Sequence, residues 1–128
     1  MKGVFSWKVV LLYSLLIVFF STIPLTISES LSFPLSDKLF HLLIYFFLSL
    51  EVTNTFLISN HKIFILRLKM GNFVKKRVCA QLVGFFYAFF LGLLVEVVQL
   101  CLPFRNFEAA DILSNVSGSL LGCLVKII

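Results

Sequence analysis

The chain has 128 residues, 60% of them hydrophobic and 13% charged, with a formal net charge of +5 and a mean hydropathy of +1.07. Soluble domains of this size carry about 25% charged residues, so an ordinary soluble domain is excluded and the integral-membrane class is expected. No internal repeat aligns and no Pro/Ser/Gly-rich linker interrupts the chain, so one domain over residues 1–128 is expected.

Four apolar segments follow in chain order. Val9 to Ile27 is 19 residues long, Leu39 to Ser59 is 21, Val78 to Leu102 is 25 and Ile112 to Ile128 is 17. A bilayer core of about 30 Å takes roughly 20 residues of helix. Lipid cannot satisfy exposed backbone groups, so helices are the required form. The expected fold is all-α, four transmembrane helices in a compact bundle. The first segment follows Lys2 and Lys8 as a signal peptide would. Its apolar run exceeds the usual 7–15 residues and no A-x-A-like site follows, so a retained helix is expected.

Orientation follows from Lys and Arg. Nine of the eleven basic residues lie at the N-terminal end (Lys2, Lys8), in the segment 60–77 (Lys62, Arg67, Lys69, Lys75, Lys76, Arg77) or at the C-terminal end (Lys126). Lys38 and Arg105 fall in the other two connections, among Glu29, Asp37, Glu108 and Asp111. The positive-inside rule then gives a multi-pass protein of the cell membrane with both termini cytoplasmic. The same asymmetry accounts for the net charge without any nucleic-acid partner. The segment from Lys62 to Lys69 mixes apolar and basic residues and reads as a membrane-hugging connector. Cys79, Cys101 and Cys123 stand singly, without metal-like spacing, and read as small packing residues.

The polar residues inside these segments fall into register. In the fourth, Asp111, Asn115, Gly118 and Gly122 share one face, and Gly118-Ser-Leu-Leu-Gly122 is a GxxxG that lets helices approach closely. In the third, Ala80, Gly84, Ala88 and Gly92 recur every four residues and lead to Glu96, with Gln99 on the same broad face. In the second, Asp37, His41 and Tyr45 step by four. At about 1.5 Å per residue, His41, Asn115, Glu96, Tyr45 and Gln99 reach one layer near the outer face, with Asp37, Asp111 and Arg105 just above it. Glu51, roughly 21 Å deeper than Asp37, is expected outside this group. Ionisable groups at a helix centre cost about 2.5–3.5 kcal/mol on insertion scales and usually mark function. A polar clasp that only holds the helices together is the bland alternative, and measured interhelical hydrogen bonds average only about 0.6 kcal/mol.

The set Asp37-Lys-x-x-His41, Glu96-x-x-Gln99, Pro103-x-Arg105 and Asp111-x-x-x-Asn115-x-x-Gly118 resembles the VanZ-like family of small bacterial membrane proteins, over Asp37 to Gly122. The inner loop is longer and more basic than that pattern. The resemblance implies a cell-envelope protein, and the family's founding member is associated with resistance to teicoplanin-type glycopeptides. It implies no catalytic mechanism and no cofactor.

The expected function is therefore binding of a membrane lipid or lipid-linked cell-wall component through an outward-facing polar pocket of Asp37, His41, Glu96, Gln99, Arg105, Asp111 and Asn115. Arg105 is the natural anion contact, because a guanidinium forks onto phosphate or carboxylate. The alternative is a membrane-embedded enzyme acting on a lipid-linked anionic headgroup, with Glu96 or His41 as general base. No nucleophile motif and no metal triad such as H-E-x-x-H is present, so binding is favoured over catalysis and no metal is expected. A transporter is disfavoured, since four short helices lack paired broken segments. A homo-oligomer stays open.

Overall fold

A computed structural model describes residues 5–23, 34–59, 73–103 and 107–125. Among these the chain forms four helices and no strand: α1 (Trp7–Thr22), α2 (Pro34–Ile58), α3 (Phe73–Leu100) and α4 (Ala109–Leu124). The all-helical, four-helix expectation holds at that level. Within α2 and α3, Asp37–Ile58 and Lys76–Leu100 are long and apolar enough to cross a membrane, whereas α1 and α4 are shorter apolar helices of 16 residues. The connector 60–72, His61, Phe104, Arg105, Asn106 and Lys126 lie outside the described residues.

The helix ends differ from the apolar runs for local reasons. α1 begins at Trp7, because the Ser6 hydroxyl accepts from the Val9 N–H at 3.3 Å and caps the first turn. It stops at Thr22: Ile23 precedes Pro24 and is extended, as a residue before proline prefers. α2 begins at Pro34, five residues before Leu39, since proline lacks the N–H that a first helical turn leaves unbonded anyway. α3 starts at Phe73 and takes in Lys75, Lys76 and Arg77. Its 28 residues make about 42 Å of helix, more than a bilayer core needs. Beyond Leu100 the chain tightens, with Cys101 N–H bonded to Val98 O and Leu102 N–H to Gln99 O, before Pro103.

The interhelix bonds fix the topology. Tyr13 Oη donates to Ile44 O at 3.2 Å, Ser14 and Tyr87 hydroxyls pair at 2.9 Å, and Gln99 Nε2 donates to Ser21 O at 3.2 Å. Ser49 Oγ donates to Ser119 O at 2.7 Å, and Lys38 meets Glu108 where α2 and α4 both begin. The helices therefore run up, down, up, down, with α2 and α4 parallel. α2, α3 and α4 pack on one another; among the described residues α1 packs on α2 and α3 only.

Small residues make the tight seams, as their spacing predicts. A Cβ on Gly118 would run into the backbone carbonyl of Leu42, and one on Gly122 into that of Phe46, so α4 lies directly on the α2 backbone. A Cβ on Gly84 would meet the Thr53 hydroxyl and the Ser49 carbonyl. Ala80, Ala88 and Glu96 of the same α3 stripe are fully buried. Between the seams an apolar core that includes Leu48, Val52, Ala88 and Val95 lies beside a set of buried polar side chains. Ser49, Thr53, Asn54, Thr55 and Ser119 are at most 2% exposed, while Phe40, Phe90 and Leu113 on the outside are 60% exposed or more. Three of the buried polar side chains offset part of the cost of burial by bonding within their own helices: Thr53 to Ser49 O, Asn54 to Leu50 O and Ser119 to Asn115 O, all at 2.7–2.8 Å.

Candidate functional site

Two parallel helix starts build the site. The first turns of α2 and α4 carry Asp37 and Asp111, placed where a helix N-terminus favours negative charge. The next turns carry His41 and Asn115. The seam at Gly118 and Leu42 holds the two helices close enough for these side chains to meet.

His41 Nδ1 lies 3.1 Å from Asn115 Oδ1. A carbonyl oxygen only accepts, so in this arrangement Nδ1 carries the proton and Nε2 points away from Asn115. Nε2 lies 4.0 Å from Asp37 Oδ1. Lys38 Nζ bonds Glu108 Oε2 at 2.7 Å and stands 4.0 Å from Asp111 Oδ1. Asp37 is exposed, whereas Asp111 and Asn115 are buried. Asp111 Oδ1 and Asn115 Nδ2 have no hydrogen-bond partner among the described residues. The hydrogen bond from Lys38, and then its charge, hold the Glu108 carboxyl below the usual carboxylate range.

A cleft of about 460 Å³ opens beside this cluster, between α1, α2 and α3. Leu16, Ile17, Phe20, Phe40 and Ile44 make its walls apolar. Asp37, His41, Tyr45 and Gln99 supply its polar groups, joined by Tyr13 and Ser21 of α1. Gln99 is held there by its bond to Ser21 O. Tyr45 and Asn115 both press on Gly92, where a Cβ would come within 3.2–3.3 Å of the tyrosine ring and the asparagine Nδ2. Glu96, one turn on in α3, is fully buried and lies within electrostatic reach of Tyr45.

The structure thus brings Asp37, His41, Asp111 and Asn115 into one cluster, and Gln99 and Tyr45 into the adjoining cleft. Glu96 is buried behind Tyr45. Arg105 falls outside the described residues, so its place relative to the cluster is not described. Glu51 lies elsewhere, in an apolar groove with Leu12, Phe47 and Leu50, where the Ser6 backbone N–H reaches it.

Sequence reasoning missed two parts. Lys38 enters the sequence reading only through orientation and the Asp37-Lys-x-x-His41 motif, yet among the described residues it is the cation nearest Asp111. The signal available was its place beside Asp37 at a helix start, facing Glu108 and Asp111 at the other. The α1 wall was missed as well, because an apolar helix with no charged residue inside it gives no sign of bounding a polar cleft. No known family, curated protein or solved structure matches the chain. The resemblance to the VanZ-like family therefore stands on its motif residues alone.

Proposed function

We propose that the chain is a multi-pass membrane protein of the bacterial cell envelope that binds an amphiphile, a lipid or lipid-linked cell-wall component, through the cleft between α1, α2 and α3. The observation that carries this reading is the cleft itself. Its apolar walls of Leu16, Phe20, Phe40 and Ile44 suit an acyl or isoprenoid chain, and Asp37, His41 and Gln99 stand where a headgroup would lie. Lys38 gives that end a cation at an exposed position, suited to a phosphate or carboxylate. Membrane insertion of all four helices is supported by the many exposed Leu and Phe side chains that cover the bundle, while Ser, Thr, Asn and Glu side chains are buried beside its apolar core. Soluble monomers rarely expose apolar patches beyond a few hundred Å². The VanZ-like motif residues add a role in glycopeptide susceptibility of the teicoplanin type.

Binding is favoured over catalysis because the cluster pairs His41 with an amide, and among the described residues no hydroxyl or thiol is hydrogen-bonded to its ring. The test is to purify the chain in mild detergent and identify the lipids that remain bound by mass spectrometry. An Ile44→Trp variant, which fills the cleft from a half-buried position, should lose them while remaining folded. Equal lipid retention by the two proteins would refute the cleft as the binding site. Thiol labelling of intact cells tests the orientation: an outside-applied reagent should modify Glu108→Cys and spare Lys69→Cys, and the reverse pattern would overturn it.

A further inference from the structure

We propose that Asp37, His41 and Asp111 form a binding site for a divalent transition-metal ion of the zinc class, with Asn115 orienting the imidazole. One ligand atom from each of the three lies within 4.8 Å of the others. Two are an (i, i+4) pair on one face of α2, and the third comes from the parallel start of α4, so the site bridges two helices.

Three features point to a cation there. The first is the imidazole tautomer. Asn115 Oδ1 accepts a hydrogen bond from Nδ1–H, which leaves Nε2 of the neutral ring turned toward the Asp37 carboxylate at 4.0 Å. A cation seated between the imidazole nitrogen and the carboxylate oxygen would be bound by both. A metal-bound histidine is held in this way, its second nitrogen donating to a fixed oxygen.

The second is Asp111. Its side chain is 8% exposed, and its Oδ1 has no hydrogen-bond partner among the described residues. A buried carboxylate oxygen with nothing to accept from is costly. Lys38 does not meet the need, because Glu108 draws its ammonium to 2.7 Å and leaves it 4.0 Å from Asp111.

The third is Asn115, 3% exposed, whose Nδ2 also lacks a partner. The amide therefore gives up a donor bond in order to present its oxygen to His41. That orientation is the one a metal-bound imidazole requires of its partner.

One imidazole and two carboxylates suit Zn²⁺ and its first-row neighbours better than Ca²⁺ or Mg²⁺, which take all-oxygen sets. Around a tetrahedral zinc with bonds near 2.0–2.1 Å, ligand atoms stand about 3.3 Å apart. Reaching that spacing requires inward movement by roughly an ångström, and Asp37, 64% exposed, is free to turn. Three protein ligands leave a fourth position open. Asp37 and His41 both line the cleft, so that position adjoins it. The site does not depend on the identity of any bound lipid, and its test uses none.

The experiment equilibrates the detergent-purified, metal-stripped chain with Zn²⁺ and measures bound metal and affinity. Co²⁺ then serves as a spectroscopic probe. One zinc per chain is expected, with a cobalt spectrum of nitrogen and oxygen ligation and no thiolate charge-transfer band. Asp37→Ala changes only an exposed side chain, so it tests the site without endangering the fold. It and His41→Ala should weaken binding at least tenfold, and Asn115→Ala by roughly tenfold through loss of the orienting oxygen. Glu51→Gln, in the separate groove, should bind as the wild type does. The proposal is overturned by absence of saturable zinc binding, by a thiolate band, or by unchanged affinity in both Asp37→Ala and His41→Ala.

Discussion

Replacing Gly118 by alanine tests the architecture at its tightest point. The new Cβ would meet the Leu42 carbonyl oxygen, with the Leu42 carbonyl carbon and Cα at 3.0–3.1 Å. All three atoms are backbone of α2, so no side chain can swing aside and the helices must part by about an ångström. A gap of 0.5–1 Å forfeits about a quarter to a half of each dispersion contact along a seam, and overpacking of this kind costs about 1–3 kcal/mol. Alanine returns up to about 1 kcal/mol of helix propensity. The net expectation is a loss of about 1–2 kcal/mol, or roughly 5 °C in thermal midpoint for a chain of this length. Cys123, 4% exposed on α4 beside the seam, is the reporter. In a background carrying Cys79→Ala and Cys101→Ala, a thiol-reactive dye follows its exposure on heating. Gly92→Ala is the internal comparison, because its new Cβ would meet only the side chains of Tyr45 and Asn115 at 3.2–3.3 Å. It should cost less than Gly118→Ala. Equal midpoints for Gly118→Ala and wild type would refute direct contact between the α2 and α4 backbones.

Two further predictions concern polar groups. Ser49→Ala removes the hydroxyl that donates to Ser119 O across the same seam, and the same thiol assay should show a loss of about 0.6–1 kcal/mol; a gain in stability would contradict an interhelix role for that hydroxyl. Glu108 titrates below its ordinary value because Lys38 donates to it. Its contribution to holding the starts of α2 and α4 together is thus complete above the ordinary carboxylate range and lost as pH falls through the lowered value. A carboxyl-carbon NMR titration should find Glu108 below its ordinary range in the wild type and within it in Lys38→Ala, and a wild-type value at or above that range would exclude the pair.

Much of this arrangement was legible in the sequence, for reasons that differ by residue. The four helices were visible because lipid-compatible runs are long. Their ends were not, because counting apolar residues ignores Ser6 as a cap, Pro34 as a helix start and the basic turn at Lys76 and Arg77. The seams at Gly84, Gly118 and Gly122 followed from four-residue spacing, since only small side chains let backbones touch. The meeting of His41 with Asn115 followed from counting depth along two parallel helices. The buried stripe of Ser49, Thr53, Asn54 and Thr55 escaped notice because its residues carry no charge and sit within an otherwise apolar run. Lys38 and the α1 wall escaped because both depend on which helices are neighbours, and single-chain periodicity does not report that.

The lopsided attachment of α1 has a mechanical consequence. The polar cluster and the floor of the cleft belong to α2, α3 and α4, where the α2 backbone lies against glycines of both α3 and α4. The opposite wall belongs to α1, which is tied to the rest by side-chain bonds from Tyr13, Ser14 and Gln99 and buries only Val10, Ser14 and Ile17. Tilting α1 by a few degrees would widen or narrow the cleft while leaving His41, Asp111 and Asn115 in register. On the proposed reading, α1 is the wall whose displacement would admit a long-chain guest while α2, α3 and α4 keep their seams closed.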